Sequence, residues 1–324
     1  MVDWGQVKNQ VMRTEQRLHE EGLLIRLYGS VSCRIDEETM YMGGDDLREY
    51  ALSQEEVRRV KFHRARGIAA VHAAIYRTRP DVNCVVYARQ CYGSALGVLK
   101  PDGLTAENAA GELIRIRVAP FSMPGSDAQR SHIRRMAARD KSAYFFIISG
   151  GGVLSFGATP EETIGAAVSL ESFATEWLKQ LARTQMGFGV VHGFDSVRSP
   201  EGIVYTQPDT PQRVREIHER IYAAHPDAGA IVHDKSEPAL TISRLQGSLF
   251  PLFDDYILLG ADARTTFVYD DGAYCAAVNE KEAGFAALSV EKSCIAQIAA
   301  TRSDGARVIS KRDVRRLNRN SHRK

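Results

Sequence analysis

The sequence predicts an α/β protein of two tandem domains, the second abbreviated, and three observations predict it. The first is a repeat. His72, Ile75, Tyr76, Pro80, Asp81 and Val86 meet His218, Ile221, Tyr222, Pro226, Asp227 and Val232 without a gap. In both copies an amphipathic helix end is stopped by Pro and Asp, and a short apolar run suited to a buried strand follows. Self-similarity at this distance marks two copies of one domain, or a domain and its decayed twin. The second observation is a hairpin pattern ahead of each copy. Residues 29–45 align with 193–209 at a constant offset of 164, matching Ser32 to Ser196, Arg34 to Arg198 and Tyr41 to Tyr205. The third is size: 324 residues suffice for two ordinary domains, each burying its own core.

Taken in order, residues 4–21 carry Trp4, Val7, Val11, Met12 and Leu18 at helical spacing, and Gly22 supplies a stop. Residues 23–34 read as a strand interrupted at Gly29-Ser30-Val31-Ser32, with Thr39-Met40-Tyr41-Met42 as the return strand of a hairpin. Gly43-Gly44-Asp45-Asp46 reads as a loop, and a charged helix from about Ser53 leads into the helix ending at Tyr76. Residues 81–87 are the repeated strand, and the polar stretch 100–139 reads as a helix and loops. Residues 144–149 and 153–156 read as strands joined by a Gly150-Gly151-Gly152 turn. Thr159-Pro160-Glu161-Glu162 is a helix start, with a cap, a Pro at the first helical position and acids in the first turn.

In the second copy His72 matches His218, so the offset falls from 164 to 146 and the loop after the hairpin is shorter by 18 residues. Residues 256–259 read as a strand. Asn279-Glu280-Lys281-Glu282 opens a last helix, in which Ala286-Ala287-Leu288-Ser289-Val290-Glu291 stands against Ala166-Ala167-Val168-Ser169-Leu170-Glu171. The expected domains are therefore 1–186 and 187–305. Residues 306–324 form a basic tail, with eight Lys and Arg between Arg307 and Lys324, expected to be disordered.

Composition narrows the function classes. A 44% hydrophobic, 25% charged chain of net charge +2 is that of a soluble globular protein with no strong global field for nucleic acid or membrane. No apolar run is long enough to span a bilayer, and the N-terminus lacks the basic and apolar regions of a signal peptide. The five cysteines show no paired spacing, as expected of a reducing cytoplasm. The expected location is cytoplasmic. Nucleic acid is expected at most at the basic tail.

The ordered segments carry a family resemblance. A Gly-x-Val-Ser hairpin, then His72-x-x-Ile75-Tyr76 with Pro80-Asp81-Val82, then Gly152-Val153-Leu154-x-x-Gly157, then a Glu-bearing final helix, resemble the class II aldolase/adducin family. The match covers residues 4–183 well and 188–300 in shortened form. It implies an α/β/α three-layer domain on a mostly antiparallel sheet, and assembly as a fourfold ring. Here that ring would be mimicked by a homodimer of tandem chains. The resemblance also implies a divalent metal held by three histidines, which polarises a ketose carbonyl and stabilises an enediolate.

Position by position, this chain departs from that pattern. In the first copy Tyr87 and Arg89 stand at His-x-His, Gly151 at the third histidine, Ile68 at the acid/base Glu, and Ser30 at the phosphate-binding Asn. In the second, His233 keeps the first ligand position, Lys235 takes the second, Asp271 falls near the third, and Val214 replaces the Glu. Phe194 and Asp195 replace the Asn and Val of the hairpin loop. A rebuilt metal site would use His192 and His233 with Asp271. The competing reading makes His233 a hydrogen-bonded remnant, so the cofactor is left open.

Tyr87 and Arg89 fit an anionic substrate, since a guanidinium forks onto carboxylate or phosphate; Arg89 paired with Asp45 or Asp46 is the plain alternative. Lys235 would serve as an amine base only if desolvated. His72 and His218 read as packed core histidines. The candidate catalytic residues are His233, Lys235 and Asp271, and the candidate substrate-binding residues are Tyr87, Arg89, Ser30 and Asp195. Two functions compete. One is a diverged enzyme acting on a small oxygenated acid or sugar-like substrate by non-ancestral chemistry. The other is a non-catalytic scaffold or ligand sensor.

Overall fold

A computed structural model of the chain describes residues 4–24, 29–43, 53–107, 111, 113–182, 187–245, 247–258 and 264–321. The chain divides into two compact units, Met1–Leu178 and Lys179–Lys324, so the division falls within a helix rather than near Gly187. The Asp45 and Asp46 partners considered for Arg89 lie outside the described residues.

The first unit is built on a seven-stranded sheet ordered β3-β2-β1-β4-β9-β8-β7. Its strands are β1 (Ser30–Arg34), β2 (Thr39–Gly43), β3 (Arg58–Lys61), β4 (Cys84–Ala88), β7 (Val118–Ala119), β8 (Phe145–Ile148) and β9 (Val153–Gly157). Every pairing is antiparallel except β7 with β8. β5 (Leu104–Glu107) and β6 (Leu113–Ile116) form a separate hairpin. Alternation along β4 sorts the two faces. Cys84, Val86 and Ala88 join a core with Val7, Val11 and Leu18 of α1 (Trp4–Glu20) and with Ile164 and Ala167 of α5 (Pro160–Ala182). Val85 and Tyr87 join the opposite core, with Val71 and Ile75 of α2 (Ile68–Thr78) and Ile133 and Ala137 of α4 (Asp127–Arg139). The unit is thus helix, sheet, helix. α3 (Cys91–Leu99) is buried along its whole length.

Several local expectations need correction. The charged stretch after Ser53 is the edge strand β3 and a 3-10 turn at Phe62–Arg64, not a helix. Arg58, Arg59 and Lys61 stay exposed there, and edge cations discourage further strand pairing. The stretch 100–139 holds the β5–β6 hairpin as well as α4.

The second unit has a five-stranded antiparallel sheet ordered β11-β10-β12-β14-β13. Its strands are β10 (Ser196–Ser199), β11 (Gly202–Tyr205), β12 (Ala230–Asp234), β13 (Thr265–Val268) and β14 (Gly272–Ala277). α6 (Gln212–Ala224) packs Val214, Ile217, Ile221 and Tyr222 on one face, against Ile231, Tyr274 and Ala276. α9 (Glu280–Ala300), capped by the Asn279 side chain, packs on β12, β14 and α7 (Glu237–Arg244). The apolar residues expected as a strand at 256–259 belong instead to helix α8 (Asp254–Leu258). Asp254 and Asp255 open it, where a helix N-terminus favours acids, and Asp255 is held by buried Lys292 of α9. Part of the expected tail is helical: α10 (Lys311–Ser321) packs against α8 with Leu317 1% exposed.

One hydrogen-bonded latch occurs in each unit. In the first, the His72 ring lies 2.8 Å from Ser32 Oγ and 3.0 Å from Ser30 Oγ, and the Tyr76 hydroxyl donates to the Ser32 carbonyl at 2.8 Å. Arg34 donates to the carbonyls of Tyr76 and Arg79. In the second, Ser196 Oγ lies 2.6 Å from His218 Nδ1, Tyr222 donates to the Ser196 carbonyl, and Arg198 donates to the carbonyls of Tyr222 and Pro226. Phe194 stands where Ser30 would be, and His218 Nε2 is buried with no hydrogen-bond partner among the described residues.

Burial pulls His72 down to about 3 and His218 to about 4, so both rings are neutral. A histidine depressed on folding supports stability above pH ~6.5 and loses that support as pH falls toward the folded value. His72→Leu strands two serine hydroxyls and is expected to cost about 2–4 kcal/mol, His218→Leu about 1–2 kcal/mol. Urea unfolding at pH 7 checks the order, and a larger loss in His218→Leu contradicts it.

Candidate functional site

In the second unit the end of β12 gathers five of the residues that the sequence singles out. His233 is fully buried with its ring stacked on Tyr274, centroids 4.1 Å apart and planes 13° apart. Its Nδ1 accepts the backbone N–H of Phe194 at 3.2 Å, which places the ring proton on Nε2, and Nε2 donates to the Asp271 carbonyl at 2.5 Å. Burial lowers its basicity, so the ring is neutral. Asp271 accepts the Tyr274 hydroxyl at 2.6 Å, and its other oxygen lies 3.7 Å from Lys235 Nζ. Burial and the Asp271 carboxylate push the Tyr274 phenol above its usual range. The Lys235 side chain is 37% exposed, so its ammonium meets water while pairing with a carboxylate.

The segment from 189 to 193 closes over this strand end. Gly193 N–H donates to the His233 carbonyl and Lys235 N–H to the Val191 carbonyl. Only glycine fits at 193, because a Cβ there would lie 2.6 Å from His233 Nδ1 and 2.8 Å from Lys235 Cδ. Asp195 joins the parts: it accepts the His233 backbone N–H at 2.8 Å, and its second oxygen lies 2.6 Å from His192 Nδ1. Two buried carboxyls anchor the segment from below. Asp234 accepts from Val191 and Ser236, and Glu291 from Gly189 N–H at 2.9 Å. Burial, with Asp234 nearby, raises Glu291 to about 8.

The corresponding place in the first unit has been filled in. Tyr87 and Arg89 are 2% and 1% exposed, with the guanidinium 5.5 Å from the Tyr87 ring centroid. A Cβ on Gly151 would lie 3.2 Å from the Tyr87 hydroxyl, so the tyrosine occupies the room of a third ligand. Ser30, expected to bind substrate, is buried and spends its hydroxyl on His72. Three grooves of this unit, of about 740, 550 and 450 Å³, lie elsewhere: between α1 and α5, and beside the β5–β6 hairpin.

A family model described as the class II aldolase and adducin N-terminal domain matches residues 9–178, 170 of the 324 positions. The chain belongs to that family. No curated protein matches it. Among solved structures, YgbL from Escherichia coli, a putative aldolase/epimerase/decarboxylase, is 16% identical with a TM-score of 0.46, covering 63% of this chain and 94% of its own. An L-fuculose 1-phosphate aldolase is 17% identical, TM-score 0.46, over 56% and 88%. L-fuculose-1-phosphate aldolase from Thermus thermophilus is 16% identical, TM-score 0.45, over 54% and 94%.

The class II aldolase resemblance implies a metal, and this chain's donors do not fit one. In the first unit the three positions are Tyr, Arg and Gly. In the second, His233 has no lone pair left, because Nδ1 accepts an N–H and Nε2 carries the proton. His192 is turned to Asp195, and Lys235 brings a cation to the second ligand position. No group of three His, Cys, Asp or Glu suited to a metal occurs among the described residues. The rebuilt site of His192, His233 and Asp271 is therefore set aside. Sequence reasoning missed Tyr274 and Glu291. The match of Glu291 to Glu171 in the repeat is a signal that could have found Glu291, while nothing in the sequence marks Tyr274.

Proposed function

We propose that this chain is a diverged, metal-independent member of the class II aldolase family acting on a small oxygenated acid or sugar-like anion. In this reading residues 188–300 are a second, shortened copy of the domain. The repeated strand order and the repeated latch support that copy. One observation carries the functional reading: Lys235 Nζ lies 3.7 Å from Asp271 on the strand end where the family keeps its metal, beside a histidine with no free nitrogen. An ammonium paired with Asp271 supplies there the positive charge that a metal ion would otherwise supply to a carboxylate, phosphate or developing enolate oxygen. Asp271, accepting from Tyr274, is the nearest group to take or return a proton. Assembly as a homodimer of tandem chains, giving twice 35.9 kDa by light scattering, belongs to the same proposal.

The non-catalytic reading is favoured by a different observation, the filling of the first unit's site by buried Tyr87 and Arg89. One experiment separates the readings from the ancestral chemistry. Purified protein is analysed for metals, then screened against small hydroxy acids, keto acids and sugar phosphates by thermal shift and for turnover. We expect no stoichiometric metal, EDTA-insensitive stabilisation by at least one anion, and about 10–100-fold weaker binding in Lys235→Gln. Turnover marks the enzyme, and binding without turnover the sensor. Stoichiometric zinc, iron or manganese that is lost on His233→Ala would sink the metal-independent reading.

A further inference from the structure

We propose that the exposed face of α10 is a docking surface for the phosphate backbone of duplex nucleic acid. At about 100° per residue, Lys311, Arg312, Arg315, Arg316 and Arg319 fall on one side of this helix, opposite Leu317, and all five are exposed. Leu317 is 1% exposed against α8, and the approach to the helix is tied down by the Ile309 N–H on the Pro251 carbonyl. The basic face is therefore held rigid by the packing beneath it. The helix also begins on a built cap: Ser310 Oγ donates to Asp313 and accepts the Asp313 N–H.

Charge on that face is compensated at one position among the described residues. Asp313, the helix's sole acid, sits at its edge 3.8 Å from Arg316. Lys311, Arg312, Arg315 and Arg319 have no carboxylate within 4.0 Å among the described residues. Four of the five cations are arginines, whose planar fork matches phosphate oxygens in pairs. Eleven residues give a rod about 16 Å long, of a width that a major groove about 12 Å across admits. An anionic bilayer fits less well, because the helix's apolar side is already spent on α8 and nothing apolar on the basic face would insert. The chain's net charge of +2 hides this face, since 40 Asp and Glu nearly balance 42 Lys and Arg over the whole chain.

The test uses the full chain and a fluorescein-labelled 20-base-pair duplex of arbitrary sequence, read by anisotropy between 50 and 200 mM salt, beside phosphatidylserine-containing vesicles. Five phosphate contacts predict a log–log salt slope of about −4 to −5, a loss of roughly several hundred-fold over that range. Arg312→Gln, Arg315→Gln and Arg319→Gln combined should flatten the slope to about −2 and weaken binding at least about tenfold at 50 mM salt. Its melting temperature should match the parent's, because the three side chains are exposed. Absence of duplex binding at 50 mM salt, equal binding by the triple variant, or tighter binding to the vesicles than to the duplex each overturns the proposal.

Discussion

Asp255→Ala is expected to destabilise the protein by about 3–5 kcal/mol, because it breaks a buried ion pair. The Lys292 side chain is fully buried, its ammonium on Asp255 and 4.6 Å from the Phe253 ring centroid. Removing the carboxylate leaves a cation that water cannot reach, and the stacked ring offsets only a fraction of the lost hydration. Asp255→Leu combined with Lys292→Met should recover most of the loss, since an apolar pair of similar volume avoids desolvating either charge. Urea unfolding of the singles and the double gives the cycle. A single variant costing less than about 1 kcal/mol would show that water reaches the pair.

The second large effect depends on pH. Glu291 is fully buried, accepts from Gly189, lies near Asp234 and is raised to about 8. A carboxyl with a raised folded value holds its proton more tightly when folded. Its contribution is complete near pH 4.5 and is lost as pH rises toward 8. That loss is on the order of a few kcal/mol. Asp234, also raised by burial, acts in the same direction. Glu291→Gln keeps an acceptor for the Gly189 N–H but cannot ionise, so stability against urea should fall less between pH 5 and 8 than in the parent. Parallel curves for the two proteins would refute the assignment. Because this carboxyl anchors the segment carrying His192, the same variant should also hold anion binding steadier above pH 8.

The sequence disclosed what depends on local chemistry. The Thr159-Pro160 start, the Asn279 cap and the Pro80 and Pro226 stops appear as helix boundaries because each signal acts within one turn. What it hid depends on partners far along the chain. Tyr256, Ile257 and Leu258 look like strand residues, yet Lys292 holds Asp255 and they become a helix. β3 looks like a charged helix because an edge strand pairs on one side only and leaves its cations exposed. α3 gave no periodic signal, since a helix buried on every side has no polar face to mark it. At the site, the positions of His233, Lys235 and Asp271 followed from register, and the structure brings them together. The tautomer of His233 did not follow, because the N–H of Phe194 and the carbonyl of Asp271 fix it.

The twin latch has a bearing on engineering. Ser32, His72, Tyr76 and Arg34, and their counterparts Ser196, His218, Tyr222 and Arg198, clamp a hairpin to a helix through hydrogen bonds that use neither Lys235 nor Asp271. A library that randomises the half-buried positions 235 and 271 while sparing the eight latch residues and the buried Tyr87, Arg89 and Gly151 should keep a high share of folded members. The latch spacing is also a search key. It would retrieve descendants whose histidines have gone, which a query built on the metal ligands would pass over.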